Sequence, residues 1–337
     1  MVFMSGTSFA EGSKHYHLNT DLDYLLETTT LIKSKIYQEC FPVYYNGSPI
    51  FISGQSNELT KQKMLKRMSS ELVPKINEQL TLWGSEKRKV LLVVNSYEQA
   101  LVVLDELKQH FPNRVKALTN EDVENEDLVL RGEVEFFGDT GADILIAPLL
   151  SINRGYNILV PGTDKSLFGS VFFLIRPFIP SGEIEYIIKV INGSLPFYIK
   201  AAKENYNYSF HKAVDYVRKR SNMLLEHMLA EDESGWSYLQ KEEQENMAWY
   251  MFINFWQMIG RLLRGQTNAN VFYVDAPFAW ENANQTGKKE KYQTSMLRIW
   301  VSILEQQSNF PEAKELLYGE FLRGLKKALK LENAEVF

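Results

Sequence analysis

Four residues in the last third of the chain combine types and spacing that suit the chemistry of phosphate groups. Gln257, Gly260, Arg261 and Arg264 fall at positions i, i+3, i+4 and i+7, which predicts that one helical face carries all four. Two guanidinium groups one turn apart can converge on a compact anion, and a glycine beside them leaves room for its approach. The alternative is a surface helix with two solvated arginines. The strand predicted directly afterwards, at 270–274, favours the anion site because it would fix the helix against a sheet.

Short polar residues also stand where a predicted strand gives way to a helix. Asn95 and Ser96 occupy such a position, and the N–H groups at the start of a helix can bind the phosphates of a nucleic acid. Thr119, after a short predicted strand at 115–118, has the same interpretation. The simpler alternative is that Ser96 only caps its helix, which Gln99 three residues later also indicates.

The chain lacks the residues with which P-loop proteins hold ATP and magnesium. The pattern G-x-x-x-x-G-K-[ST], whose backbone N–H groups surround phosphates, does not occur. Residues 103–106 imitate an acidic Walker B box, but they lie inside a predicted helix, which favours an ordinary helix surface. We therefore expect that this chain cannot hydrolyse ATP alone by a P-loop mechanism.

The sequence predicts a sheet that would position these residues. Apolar runs with the length and composition of buried parallel strands occur at 89–94, 143–147, 170–175 and 270–274. Helical patterns separate the strands, which predicts an α/β fold, a parallel sheet with helices on both faces. Residues 21–83 are mostly helical in pattern, residues 183–246 form a helical insertion in the sheet domain, and the tail at 291–330 is an amphipathic helix.

The pattern QMIGRLLR at 257–264 resembles motif VI of the superfamily 2 DNA and RNA helicases. LLVVNSYEQA from Leu91 is similar to motif IV of that family, and DILIAPLLSINRGYNI from Asp143 is similar to motif V. Ser5-Gly6-Thr7 resembles motif III, which ends the first of the family's two RecA-like lobes. The resemblance implies a RecA-like sheet of the P-loop NTPase type, here with a large helical insertion and a helical C-terminal extension.

The same resemblance implies a division of the chain. The first lobe and a linker would end within 1–20, next to an abrupt apolar start that predicts a chain beginning inside a larger protein. The remaining parts are a helical linker at 21–85, the second RecA-like lobe at 86–182 and 246–280, the helical insertion at 183–245, and the C-terminal extension at 281–337.

Roles for individual residues follow from the resemblance. In that family ATP lies between the two lobes, and the second lobe supplies arginine fingers. Arg264 would be the finger on the γ-phosphate, Arg261 a second phosphate ligand, and Gln257 the residue that positions the attacking water or the γ-phosphate. Further contacts with the nucleotide are implied for Gly260, Gly155 and Asn157.

The implied partners are a nucleic acid, DNA or RNA, and a first lobe with Walker A and B motifs, with which the chain would use ATP and Mg²⁺. Contacts with the nucleic acid are implied for Asn95, Ser96, Thr119, Ser151 and Arg154. The chain departs from motif V at two positions. Pro148 replaces a threonine that contacts the nucleic acid, and Asn157 replaces an aspartate. These departures favour the alternative, a non-catalytic module that binds nucleic acid or a protein partner.

Composition restricts these interpretations. The net charge of −5 over 337 residues gives no general basic field, so contact with a nucleic acid requires a local patch. The single cysteine, Cys40, excludes an internal disulfide and fits a reducing compartment, and we expect a cytoplasmic protein without a membrane partner. His15 and His17 have no further ligands nearby, so no metal site is expected.

Overall fold

The computed structural model of the chain describes residues 9–13, 16–17, 34–122, 125–153, 155–177, 184–205, 209–229 and 241–331. These residues belong to two compact units. One lies within 1–20 and 178–251 and is called the helical unit; the other lies within 21–177 and 252–337 and is called the sheet unit. Several predictions fall outside the described residues, namely the motif III candidate at 5–7, His15, Arg154, the helical pattern over 21–33 and the parts of the insertion at 206–208 and 230–240.

The sheet unit is built on parallel strands. These are β1 (Ile36–Cys40), β4 (Lys89–Val94), β5 (Val115–Thr119), β6 (Leu128–Leu130), β7 (Ile144–Pro148), β8 (Phe168–Phe173) and β9 (Ala269–Tyr273). In the described residues they pair in the order β1-β9-β8-β4-β7-β5-β6, and every pair is parallel. The predicted α/β class with a parallel sheet is confirmed. A small antiparallel hairpin, β2 (Tyr44–Tyr45) with β3 (Ser48–Pro49), stands beside it.

One face of the sheet is covered by α1 (Glu58–Trp83) and α2 (Tyr97–Leu107). Val90, Leu92 and Val94 of β4 share a core with Leu72 of α1 and Leu104 of α2. Both helices begin with a capped N-terminus. The side chain of Asn57 accepts from the Thr60 N–H at 3.0 Å, and Ser96 accepts from the Gln99 N–H at 3.2 Å.

Aromatic side chains fill the space on the other face. The helices on this face are α6 (Lys241–Leu262), α8 (Met296–Glu305) and α9 (Pro311–Ala328). A short helix, α7 (Trp280–Ala283), precedes α8 in the chain. The ring of Phe255 stacks on Phe173 of β8 with centroids 3.9 Å apart and also contacts Trp300 and Phe321. The predicted C-terminal extension is therefore, over 296–328, a layer of the sheet unit.

The helical unit contains α4 (Ile184–Asn205) and α5 (Phe210–Leu229), which confirms, over these residues, the helical character predicted for the insertion. The two helices pack together, and the guanidinium of Arg220 lies 5.7 Å from the centre of the Tyr198 ring. The segment 241–251 of α6 also belongs to this unit, where Tyr250 stacks on Tyr16 with centroids 5.9 Å apart.

The prediction that residues 21–85 are helical is wrong for residues 34–57, the described part before α1. Residues 36–40 form β1, an edge strand that pairs with β9, and residues 44–49 form the hairpin. The sequence of β1 is IYQEC, and its burial alternates because one side of this edge strand is exposed. Two further elements were not predicted, the three-residue strand β6 and a 3₁₀ helix at Arg131–Asp139.

Candidate functional site

The helix that carries the paired arginines ends earlier than their spacing predicts. Helix α6 ends at Leu262, so Arg261 lies in its last turn and Arg264 lies in the turn that follows. Gly265 has φ +68° and Gln266 has φ +56°, a left-handed pair that stops the helix. The prediction that Gln257, Gly260, Arg261 and Arg264 share one helical face is therefore wrong for Arg264.

The turn after α6 is fixed against the segment that leads into β8. The carbonyl of Arg264 accepts from the Ser166 N–H at 3.1 Å. A Cβ atom at Gly265 would lie 2.6 Å from the carbonyl oxygen of Asp164 and 2.7 Å from the Cα of Lys165, so only glycine fits without a backbone shift. Arg264 thus stands at the amino edge of the sheet, where β8 and β9 begin.

Arg261 is held by the loop that follows β7 and its short continuation α3 (Leu149–Ile152). Its Nε donates to the carbonyl of Asn153 at 3.0 Å, and a terminal nitrogen donates to the carbonyl of Tyr156. Burial, and next the neighbouring Arg264, lower the pKa of Arg261, while Glu135 opposes this shift. The side chain nevertheless stays charged at neutral pH because the guanidinium is so basic.

Arg264 reaches the same loop through its side chain. Its guanidinium donates to the side-chain oxygen of Asn157, and the backbone N–H of Asn157 donates to the carboxylate of Glu135. Arg131 adds a contact at 2.9 Å with the hydroxyl of Tyr156. Arg264 and Asn157 are both exposed. Within the described residues neither Arg261 nor Arg264 forms an ion pair with a carboxylate, so their charges are available to an external anion.

Three more predicted site residues lie around this cluster, the nucleotide contacts Gly155 and Gly260 and the catalytic candidate Gln257. Gly155 is exposed with φ +88°, two residues before Asn157 in the same loop. Gly260 is exposed on α6, and a Cβ atom there would meet nothing within 4 Å, so the space in front of the helix is open. Gln257 is half-buried, one helical turn before Gly260. The structure thus brings the loop at 153–157 and the end of α6 together, a proximity that the sequence alone did not establish.

The side chains predicted to contact a nucleic acid serve local structure in this chain. Asn95 donates its amide to the carbonyl of Arg176 at 3.1 Å, and Ser96 is the N-cap of α2. Thr119 accepts from the Glu121 N–H at 3.1 Å through its hydroxyl, and Ser151 is buried in α3. The capping interpretation of Ser96 is confirmed. A nucleic acid beside these residues would have to bind backbone N–H groups, or side-chain atoms that can still form a further hydrogen bond.

Asn95, Ser96 and Thr119 lie at the carboxyl edge of the sheet, opposite the edge that carries Arg264. Asn95 follows β4, from which the chain continues to β5 on one side of the sheet. The strand next to β4 is β8, from which the chain continues to β9 on the opposite side. Such a switch between neighbouring parallel strands leaves a crevice at their carboxyl ends. The predicted site residues therefore form two separate groups at opposite ends of the strands.

A buried aspartate at this carboxyl edge was not predicted. Asp275, directly after Val274 and β9, accepts from the N–H groups of Ile52, Ser53 and Arg176 at 2.8, 3.1 and 3.0 Å, and from the Ser53 hydroxyl at 2.5 Å. Burial raises the pKa of Asp275, and these hydrogen bonds oppose that shift. Its carboxylate ties the segment after the hairpin to the sheet.

Arg88 supports the amino edge in a similar way. Its guanidinium donates to the carbonyls of Ser166 at 2.9 Å, Phe168 at 2.7 Å and Leu262 at 3.2 Å, and it also reaches Asn268 at 2.7 Å. Burial lowers the pKa of Arg88 to about 10. Arg88 thus joins the end of α6 to the starts of β8 and β9. The only sequence signal for this role of Arg88 was that a basic pair stands immediately before an apolar strand.

Other predictions concern absences. In the described residues no three His, Cys, Asp or Glu side chains cluster in a way that suits a metal ion. The Walker B imitation lies in α2. Val103 and Leu104 are buried, and Asp105 pairs with Lys108 at 3.4 Å, as is typical of an ordinary amphipathic helix. No helix among the residues described here has the length and apolar character needed to cross a membrane.

Comparison with known proteins adds no family to this geometry. No protein-family model matches the chain, and no curated protein is significantly similar to it in sequence.

Proposed function

We propose that the sheet unit is the second motor lobe of a superfamily 2 type helicase or translocase, which acts on ATP bound by a first lobe and on a strand of DNA or RNA. The observation that carries the proposal is the cluster at the amino edge of the sheet. Arg261 is pinned to the carbonyls of Asn153 and Tyr156, and Arg264 is held by Asn157. Two fixed guanidinium groups without carboxylate partners among the described residues suit a phosphate that carries growing negative charge.

The fixed geometry matters more than the number of charges. An arginine finger accelerates phosphoryl transfer because it is already oriented when negative charge develops on the transferred group. Arg264 is exposed, yet its position is limited by Asn157, by the Gly265 turn and by the Ser166 contact. The parallel sheet flanked by helices is consistent with a RecA-like lobe, in which such a group would face a nucleotide on another lobe.

The separation of the two predicted groups also supports a motor lobe. A motor has to contact the nucleotide and the nucleic acid at different places and to couple the two. In this proposal, Arg264 serves the nucleotide at the amino edge, and the crevice beside Asn95 and the start of α2 serves the nucleic acid at the carboxyl edge. ATP and Mg²⁺ would be held by the first lobe, because this chain has no phosphate loop.

The test is nucleic-acid-stimulated ATP hydrolysis by this chain together with the lobe that carries the phosphate loop. Replacement of Arg264 by alanine should lower kcat by about a thousandfold, since an arginine finger acts mainly in the transition state, and should change ATP affinity little. Arg264→Lys should recover little of this rate because a single ammonium group cannot reproduce the planar fork. ATP binding, measured with a fluorescent analogue, separates the two effects.

The matched control is Arg323→Ala, which removes an exposed arginine from α9 that pairs with Glu315 and Glu320. It should leave hydrolysis unchanged. Unchanged turnover in Arg264→Ala would contradict the proposal. Nucleic-acid binding by the wild-type protein without stimulated hydrolysis would instead support the alternative, a non-catalytic binding module, which the departures at Pro148 and Asn157 favour.

A further inference from the structure

A cavity of about 1130 Å³ opens in the sheet unit at the carboxyl end of β1. Its walls come from Cys40 and Phe41, from the segment 281–290, and from α8 and the end of α9. In the register of the sheet, Cys40 pairs with Tyr273, the last residue of β9, whereas Arg264 precedes the first residue of β9. The cavity therefore lies at the opposite edge from the arginine cluster and is a separate site.

The cavity concentrates positive charge in an acidic protein. Five cationic and three acidic side chains line it, an excess of two positive charges in a chain with net charge −5. Glu305 pairs with Lys326 at 3.0 Å and with Arg298 at 3.7 Å, so these cations are partly neutralised. Lys288, Lys289 and Lys330 have no ion-pair partner in the described part of the chain. Three unpaired ammonium groups around one opening suit an anion such as a phosphate.

A buried carboxylate in the cavity wall suits a second kind of ligand group, a hydrogen-bond donor. Glu290 is only 8 % exposed, and its Oε1 accepts from the Asn282 N–H at 2.7 Å. Its Oε2 is buried beside the Ser295 hydroxyl, but that hydroxyl donates to the carbonyl of Phe278 at 2.9 Å, and no described residue completes a hydrogen bond to Oε2. Because buried polar atoms are nearly always hydrogen-bonded, this oxygen marks a place for an N–H or O–H donor.

We propose that this cavity binds a nucleoside phosphate, with its phosphate among Lys288, Lys289 and Lys330 and an N–H group of its base donating to Glu290. The rings of Phe41 and Tyr44 also line the cavity and offer apolar surface to a base. A nucleoside phosphate carries the anion, the donor and the aromatic ring in one molecule of suitable size. This site does not depend on the proposed motor function.

The test is calorimetric titration of the chain with adenosine monophosphate, inorganic phosphate and adenosine. We expect adenosine monophosphate to bind at least about tenfold more tightly than phosphate or adenosine, because each of these offers only part of the contacts. The double variant Lys288→Ala/Lys289→Ala should weaken adenosine monophosphate by about tenfold or more. Both lysines are exposed, so the variant should fold normally.

Two further variants separate the parts of the site. Glu290→Gln keeps the acceptor for Asn282 but places a donor where Oε2 stood, so it should weaken adenosine monophosphate about fivefold and leave phosphate affinity unchanged. Lys291→Ala removes a cation from the same loop that does not line the cavity. Because its partner Glu281 does line it, we expect this variant to weaken binding by no more than about twofold. Arg264→Ala should have no effect, which separates this site from the proposed motor function.

The proposal is overturned if adenosine monophosphate does not bind or binds no more tightly than phosphate. It is also overturned if the double lysine variant binds as well as the wild type, or if Lys291→Ala weakens binding as much as the double variant does.

Discussion

The side-chain oxygen of Asn157 accepts a hydrogen bond from the guanidinium of Arg264, although 107 residues separate the two in the sequence. The backbone N–H of Asn157 donates at the same time to Glu135, in the 3₁₀ helix that precedes β7. Three distant segments thus meet at one exposed arginine. The orientation of Arg264 is therefore set by the loop that follows β7, since the helix has already ended.

Asn157→Ala should lower the stimulated rate of ATP hydrolysis by about tenfold in the assembled motor, because Arg264 would lose the contact that orients it. The loss should be smaller than that of Arg264→Ala, since the guanidinium itself remains. KM for ATP should stay nearly constant, as expected for an interaction that matters mostly in the transition state. Steady-state kinetics over a range of ATP concentrations measure both parameters.

Asn157→Asp is the matched control for this prediction. A carboxylate accepts the same hydrogen bond from Arg264 with similar geometry, so this variant should retain most of the rate that Asn157→Ala loses. Equal losses in the alanine and aspartate variants would show that Asn157 does not act by orienting Arg264.

The strands were predictable because their sequences report their burial. The run KVLLVV of β4 is apolar throughout, as is typical of a strand covered on both faces. The edge strand β1, with the sequence IYQEC, is covered on one side only. Because it carries polar residues, it lacks the apolar run by which the central strands were predicted. Local pattern thus identifies central parallel strands well and edge strands poorly.

The site shows the same limit at the level of single residues. The types and order of Gln257, Arg261 and Arg264 indicated phosphate chemistry, but helical spacing alone did not reveal that Gly265 ends the helix. Contacts such as that of Glu135 with Asn157 depend on which loop lies beside which turn. Such pairings are set by the strand order of the sheet, which a single sequence does not specify.

Gly265→Ala should lower the free energy of unfolding by about 2 kcal/mol. The residue has φ +68°, which costs a side chain backbone strain, and its Cβ would meet the Asp164 carbonyl oxygen at 2.6 Å. Gly260→Ala is the control, because that glycine is helical and its Cβ would meet nothing within 4 Å. It should raise stability by about 0.5–1 kcal/mol. Urea unfolding followed by circular dichroism compares the two, and equal effects would contradict the role of Gly265.

Cys40 should react slowly with iodoacetamide in the native protein. Burial raises the pKa of its thiol to about 12, with Glu290 and Glu39 adding to the shift, so the reactive thiolate is scarce at neutral pH. At pH 8 the thiolate fraction would be about one in ten thousand, against about one in four for a free cysteine. A more basic thiolate is also more nucleophilic, which offsets part of this difference, so we expect alkylation about fortyfold to a hundredfold slower than in the unfolded chain.

The pH dependence of that alkylation gives the sharper test. Because a raised pKa delays ionisation, the native rate should rise about tenfold for each pH unit between pH 7 and 10 without levelling off. The chain unfolded in guanidinium should level off near pH 9, and since Cys40 is the only cysteine, both rates report one thiol. A native rate that levels off between pH 8 and 9 would mean that the Cys40 thiol ionises like an exposed one, and that the end of β1 is more open to water than its packing indicates.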